Sequence, residues 1–180
     1  MKSGPTDLYA SDPHAYLAKI TALVGQRDRL EVLSETADVL AEIAGRHSVE
    51  QMRSRPFEGK WTPNEVVGHL GDTEWVFGYR IRSILCEENP KLRAMNQELW
   101  VTGQRHNNRD PDDLIETFGH LRRVNLSLWR RISPADLRRV GTHNERGAQS
   151  LDKILLMQAG HDLSHLDQLT RYLVAVTSKG

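Results

Sequence analysis

The segment Thr62-Pro63-Asn64-Glu65-Val66-Val67-Gly68-His69-Leu70 opens with a complete start signal for an α-helix. Thr62 is an N-cap residue, Pro63 suits the first helical position, and Glu65 can reach back to the cap from the third. Val66, Leu70, Phe77, Ile81 and Ile84 then recur at the helical period, and Asn89-Pro90 stops the run near Glu87. The same grammar extends in both directions. Upstream, Leu30, Leu33, Ala37, Leu40 and Ala44 form one stripe on a helix over 28–44 that Gly45 ends. The stretch 47–60, with Pro56 and Gly59, reads as a connector with at most one short helical turn. Downstream, 91–108 has no clean pattern and reads as a long crossing with some helix near 92–102. Asp110-Pro111-Asp112-Asp113 starts a third long helix through Leu114, Phe118, Leu121, Leu128 and Ile132. Ser133-Pro134 opens a short turn, Gly141 to Gln149 reads as a loop, and Ser150 caps a last helix through Leu173. Four long helices make an all-α chain and a four-helix bundle, assigned to 28–180. Residues 1–27 read as an N-terminal extension or short helix, starting at Asp12-Pro13 and interrupted at Gly25.

The 180 residues carry 24 Lys plus Arg against 24 Asp plus Glu, with 8 His and 1 Cys. This length suits one domain. A single cysteine excludes an intrachain disulfide framework, a Cys-rich zinc finger and a CxxC redox pair; it suits a reducing compartment, hence the cytoplasm. No run of six apolar residues occurs, so no membrane span is expected, and Met1 to His14 lacks the apolar core of a signal peptide. Zero net charge argues against nucleic acid as a partner. The pairs Arg122-Arg123, Arg130-Arg131 and Arg138-Arg139 are accounted for as complements to the helix dipole, opposite Asp110, Asp112, Asp113 and Glu116 at the start of the third helix.

His161-Asp162-Leu163-Ser164-His165 places two imidazoles four residues apart, on one helical face. Leu151, Ile154, Gln158, His161, His165, Leu169 and Tyr172 fall within one arc of about 80°, so both rings lie in the core stripe. Buried there unbonded they would be costly, whereas a divalent ion turns the same positions into a stabilising site. A third ligand has to come from another helix, and His69 and His120 are the two candidates; His14, His47, His106 and His143 fall in connectors or near ends and read as solvated. Asp72, one turn after His69, and Asp162, beside His161, are each placed either to accept a ligand's free N–H or to stand as ordinary solvated carboxylates. Arg80 suits an anionic substrate group or a structural ion pair, Gln158 and Tyr172 suit the pocket wall, and Cys86 reads as a small buried or surface thiol.

Trp61-Thr62-Pro63-Asn64-Glu65, Gly68-His69-Leu70, Asp72 and Glu74 together resemble the second-helix signature of the DinB-like metal-binding superfamily. His161-Asp162-x-x-His165-Leu166 is similar to its closing motif, and His143-Asn144-Glu145-Arg146-Gly147 to the segment before its last helix. The resemblance is close over about 60–85 and 140–173. It implies an up-up-down-down bundle, usually a homodimer, with a divalent metal on His69, His161 and His165. Zinc or nickel fits such a site first, iron or manganese next. The superfamily includes thiol S-transferases that use bacillithiol and related mycothiol-dependent enzymes. The expected activity is therefore a metal-dependent transfer of a low-molecular-weight thiol to an electrophilic small molecule. The alternatives are a metal-dependent hydrolase of a small amide or ester, and a non-catalytic metal-binding bundle closed by a fourth protein ligand. His161-Asp162-x-x-His165 resembles the HExxH of metalloproteases only superficially, because Asp162 is one methylene shorter than the glutamate base and no downstream ligand follows.

Overall fold

Side-chain caps set the start of each long helix in the computed structural model, which describes residues 12–178. The part of the N-terminal expectation that falls on 1–11 lies outside these residues. Helix α1 spans Pro13–Val24, α2 Arg29–Gly45, α3 Val49–Arg53, α4 Pro63–Cys86, α5 Gln97–Gly103, α6 Pro111–Trp129 and α7 Leu151–Thr177. Asp12, Asp28, Asp110 and Ser150 each accept a backbone N–H at the start of α1, α2, α6 and α7. At α4 the expected reciprocal box is formed: Thr62 Oγ1 accepts from Glu65 N at 3.1 Å, and Glu65 Oε2 accepts from Thr62 N at 2.8 Å. Each such cap contributes about 1 kcal/mol. No helix among the described residues is long and apolar enough to cross a membrane.

The four long helices α2, α4, α6 and α7 form the bundle, with α2 and α4 each packed on both α6 and α7. Their directions differ from the expected up-up-down-down order. Arg29 at the start of α2 binds Asp152 at the start of α7, so these two run parallel. Asn64 at the start of α4 binds the Arg109 carbonyl just before α6, so α4 and α6 run parallel to each other. His69 meets His165 while Glu74, further along α4, meets Gln158, earlier in α7, which makes α4 and α7 antiparallel. The order is therefore up-down-down-up. The reason is the number of long crossings: up-up-down-down needs two, and this chain makes one, over 87–110. Helix α1 lies along α7 and buries Ile20 completely.

The segment expected as a loop is a hairpin. Strand β2 (Val140–His143) pairs antiparallel with β3 (Gly147–Ser150) and parallel with β1 (Lys91–Leu92). Gly147 turns the hairpin at φ +66°, a conformation that favours glycine. This small sheet covers one end of the bundle, where Gly141 packs so tightly that a Cβ would stand 2.9 Å from Ile84 Cγ1.

The core has three tiers. Ile20, Leu33, Ile81, Ile84, Leu126, Trp129 and Ile154 belong to one apolar cluster, and Leu40, Val66, Leu70, Phe118, Leu169 and Leu173 to another. Between them in each long helix fall buried polar residues: Thr36 in α2, Glu74 in α4, Arg122 and Asn125 in α6, and Asp162 in α7. His69 in α4 and His161 and His165 in α7 stand next to that tier along their helices.

Candidate metal centre

His69 comes from α4 and His161 and His165 from the antiparallel α7, so two neighbouring helices bring three rings together. Ring centroids are 5.2 Å apart for His69 and His161, 4.9 Å for His69 and His165, and 4.3 Å for His161 and His165. One nitrogen from each ring lies within 4.8 Å of the others. His69 and His165 are buried, and His161 is partly exposed. No fourth His, Cys, Asp or Glu among the described residues joins the group.

Burial is the main force that lowers the pKa of all three rings. For His69 the charges of His165 and His106 add to it; for His161 those of His165, His69, Arg122 and Arg146 do. His165 falls to about 4 through burial, against the opposing hydrogen bond to Gln168. Neutral imidazoles are what a metal needs. The spacing also fits: Nε2 of His69 and Nε2 of His161 are 3.2 Å apart. Two nitrogens each about 2.0–2.1 Å from one zinc ion stand about 2.9–3.4 Å apart in octahedral to tetrahedral geometry. His165 Nδ1 lies 2.8 Å from Gln168 Oε1, which accepts its proton and leaves the Nε2 lone pair for coordination. Nδ1 of His69 and of His161 are buried without a hydrogen-bond partner among the described residues. Trp61 lies against the His69 ring at 4.8 Å and Phe77 against His161 at 6.2 Å. The donor set, its protonation state and its spacing all fit a divalent cation.

Asp72 and Asp162, expected either to support these rings or to stand in solvent, do neither: both are buried and engaged elsewhere. Asp72 Oδ1 accepts from Gln104 Nε2 at 2.7 Å, and Asp72 Oδ2 faces His106 Nε2 at 2.9 Å. Asp162 Oδ2 accepts from Arg122 Nη1 at 2.6 Å. Gln168, three residues after His165, takes the supporting role instead. Arg80 is buried and donates to the Arg93 carbonyl at 2.8 Å, with His143 Nε2 at 3.2 Å. Gln158 is wholly buried between Trp129 and Glu74, accepting from Trp129 Nε1 and donating to Glu74 Oε1. Tyr172 lies in the apolar cluster, its ring edge-on to Phe57 at 5.9 Å. His120 stands exposed on α6 and is no ligand; Cys86 is exposed.

Two histidines expected in solvent are buried. His106 packs so close to α4 that a Cβ on Gly68 would sit 2.3 Å from its ring, and His143, the last residue of β2, turns a buried ring inward with its pKa lowered to about 4 by burial and by Arg146 and Arg80. Arg122, read above as a helix-dipole complement, is 1% exposed. Its Nη2 donates to Glu74 Oε1 at 2.8 Å and its Nη1 to Asp162 Oδ2 and to the Leu33 carbonyl at 2.8 Å. Burial works against the charge, but Asp162 and Glu74 hold the guanidinium ionised and raise its pKa. The signal for it was spacing: Leu114, Phe118, Arg122, Asn125 and Trp129 form the true buried stripe of α6. A stripe drawn only through apolar types ran instead through Leu121, Leu128 and Ile132, which are half-buried.

A family model described as the DinB superfamily matches residues 32–169. A protein of Oceanobacillus iheyensis named as a candidate metal-dependent hydrolase is 29% identical over 122 residues, which cover 67% of this chain and 70% of that protein. YfiT of Bacillus subtilis, named likewise, is 23% identical over 81% of this chain and 85% of its own. In structure, YfiT matches with a TM-score of 0.73 at 22% identity, over 79% of this chain and 84% of that one, and it is described as a four-helix bundle of unusual topology. A mycothiol-dependent maleylpyruvate isomerase matches with a TM-score of 0.64 at 14% identity, over 78% of this chain and 59% of the enzyme. At those identities the two structures establish a shared fold.

Proposed function

Since this chain belongs to the DinB superfamily, we propose that His69, His161 and His165 hold one divalent metal ion, zinc or nickel first, and that the protein is a metal-dependent enzyme transferring a low-molecular-weight thiol to an electrophilic small molecule. The observation that carries this reading is the convergence of three neutral imidazoles with no fourth protein ligand among the described residues. A structural site is closed by four protein ligands, whereas a catalytic one keeps a place open. Bound there, a divalent ion supplies Lewis acidity, which makes a thiol or a water reaching its open side far more acidic than in solution.

The chain's own residues prepare that site. Burial keeps the rings unprotonated, so they serve as ligands at neutral pH. Gln168 fixes the tautomer of His165. Trp61 is anchored by Nε1 to Glu98 Oε2 at 3.1 Å and, with Phe77, gives the site aromatic walls that exclude water around the ligands. His161, the one partly exposed member of the three, marks the side from which a substrate approaches.

The thiol is favoured by the fold shared with a mycothiol-dependent enzyme. A second reading, hydrolysis of a small amide or ester, is favoured by the names of the sequence relatives. One experiment separates them: metal-loaded protein is given bacillithiol, mycothiol or glutathione together with monochlorobimane, and in parallel simple esters and amides without thiol. Metal-dependent conjugation with one of the thiols is the expected result. Ester or amide turnover with no conjugation would replace the transferase by the hydrolase, and silence in both arms would contradict a metal-dependent enzyme of either kind.

A further inference from the structure

The two helices that carry the ligands are joined by a side chain from a third. Arg122 on α6 reaches Glu74, five residues beyond His69 on α4, at 2.8 Å, and Asp162, adjacent to His161 on α7, at 2.6 Å. A further bond to the Leu33 carbonyl at 2.8 Å adds α2, so one guanidinium touches all the other helices of the bundle. Its side chain and those of Glu74 and Asp162 are each at most 2% exposed. The same tier holds Asn125 Nδ2, which donates to Glu74 Oε2 at 3.0 Å, and Gln158 Nε2, which donates from α7 to Glu74 Oε1 at 2.6 Å. Asp72 and Asp162 thus bind His106 and Arg122 rather than the ligand rings.

Stability alone gives no reason for this arrangement, because a buried ion pair is commonly replaced by apolar side chains without loss. Position does. An arginine fork fixes two carboxylates at set distances and angles, which neither a lysine nor an apolar contact reproduces. Glu74 and Asp162 each lie within a turn and a half of a ligand histidine, so their separation and that of the imidazoles vary together if either helix slides or rotates.

We propose that Arg122 is a positioning residue for the metal centre: by clamping Glu74 of α4 to Asp162 of α7, it sets the spacing at which His69 meets His161 and His165. The inference rests on the reading that these histidines bind a metal. A positioning residue should alter metal affinity and ligand geometry beyond any effect on folding, and removal of supporting contacts around metal ligands typically weakens binding about 10- to 100-fold.

The test uses the full chain stripped of metal. Zn²⁺ affinity is measured by competition with a chromophoric chelator, and the visible spectrum of the Co²⁺ form reports ligand geometry. Arg122→Met and Arg122→Lys are expected to bind Zn²⁺ about 10- to 100-fold more weakly and to give an altered Co²⁺ spectrum. Leu92→Ala, a core deletion in strand β1, should lower the melting temperature while leaving affinity and spectrum unchanged. Should Arg122→Met not fold, Glu74→Gln removes the charged end of the same clamp and is expected to show the same weakening. Wild-type affinity and spectrum in the folded Arg122 variant, or in Glu74→Gln where it stands in, would overturn the positioning role, as would tighter binding. A wild type that takes up neither Zn²⁺ nor Co²⁺ would overturn the metal reading itself, a different failure.

Discussion

His165 shows how burial and a single hydrogen bond prepare one side chain. Its pKa, about 4 in the fold, lies well under the ordinary histidine value near 6.5. The unfolded ring takes up a proton below about pH 6.5, and the folded one only near pH 4, so the unfolded chain binds more protons between them. This contribution to stability is complete above pH 6.5 and is lost as the pH falls towards 4. His165 alone accounts for on the order of 3 kcal/mol over that range, and His69 and His161 act in the same direction. Metal-free protein should melt at progressively lower temperature from pH 7.5 to pH 4.5 in calorimetry; a flat profile would contradict neutral, buried rings. His161 and His165 were legible as a candidate pair because four-residue spacing on an apolar stripe is visible without coordinates, whereas His69 was set apart from His120 only by the resemblance to the DinB-like superfamily. Gln168 and Arg122 were not legible, since a polar residue on a core stripe reads as noise until its partner on another helix is known.

At the scale of elements, helix starts were the most legible feature. Thr62, Asp110 and Ser150 cap α4, α6 and α7 where expected, because capping is a local interaction. The β2–β3 hairpin escaped because Gly141-Thr142-His143 offers no apolar alternation, and its pairing with β1 spans about fifty residues of sequence. The seam between α1 and α7 rests on a close approach rather than on a pattern. A Cβ on Gly160 would stand 2.5 Å from Ile20 Cβ and 2.9 Å from the Ile20 carbonyl oxygen, and the backbone atom cannot swing aside. Gly160→Ala should therefore cost about 1–3 kcal/mol and lower the melting temperature by several degrees. An unchanged melting temperature would mean that α1 is not docked as closely as described.

Over the whole molecule, one long crossing orders the helices up-down-down-up and sets α4 antiparallel to α7. That direction is what sets a histidine in the first third of one helix against two at the middle of the other. The residue pattern fixed four helices and their inward faces but not their directions, because both orders bury the same stripes and differ only in where the loops run. Two apolar clusters close the ends, and the polar tier between them concentrates the chain's buried titratable groups. The central claim is that the histidine cluster beside this tier, His69, His161 and His165, holds a divalent ion. Elemental analysis of untagged protein, repeated on His161→Ala, tests it most directly. About one divalent ion per chain in the wild type and its loss in a folded variant is the predicted result; no ion in the wild type, or an undiminished one in the variant, would contradict it.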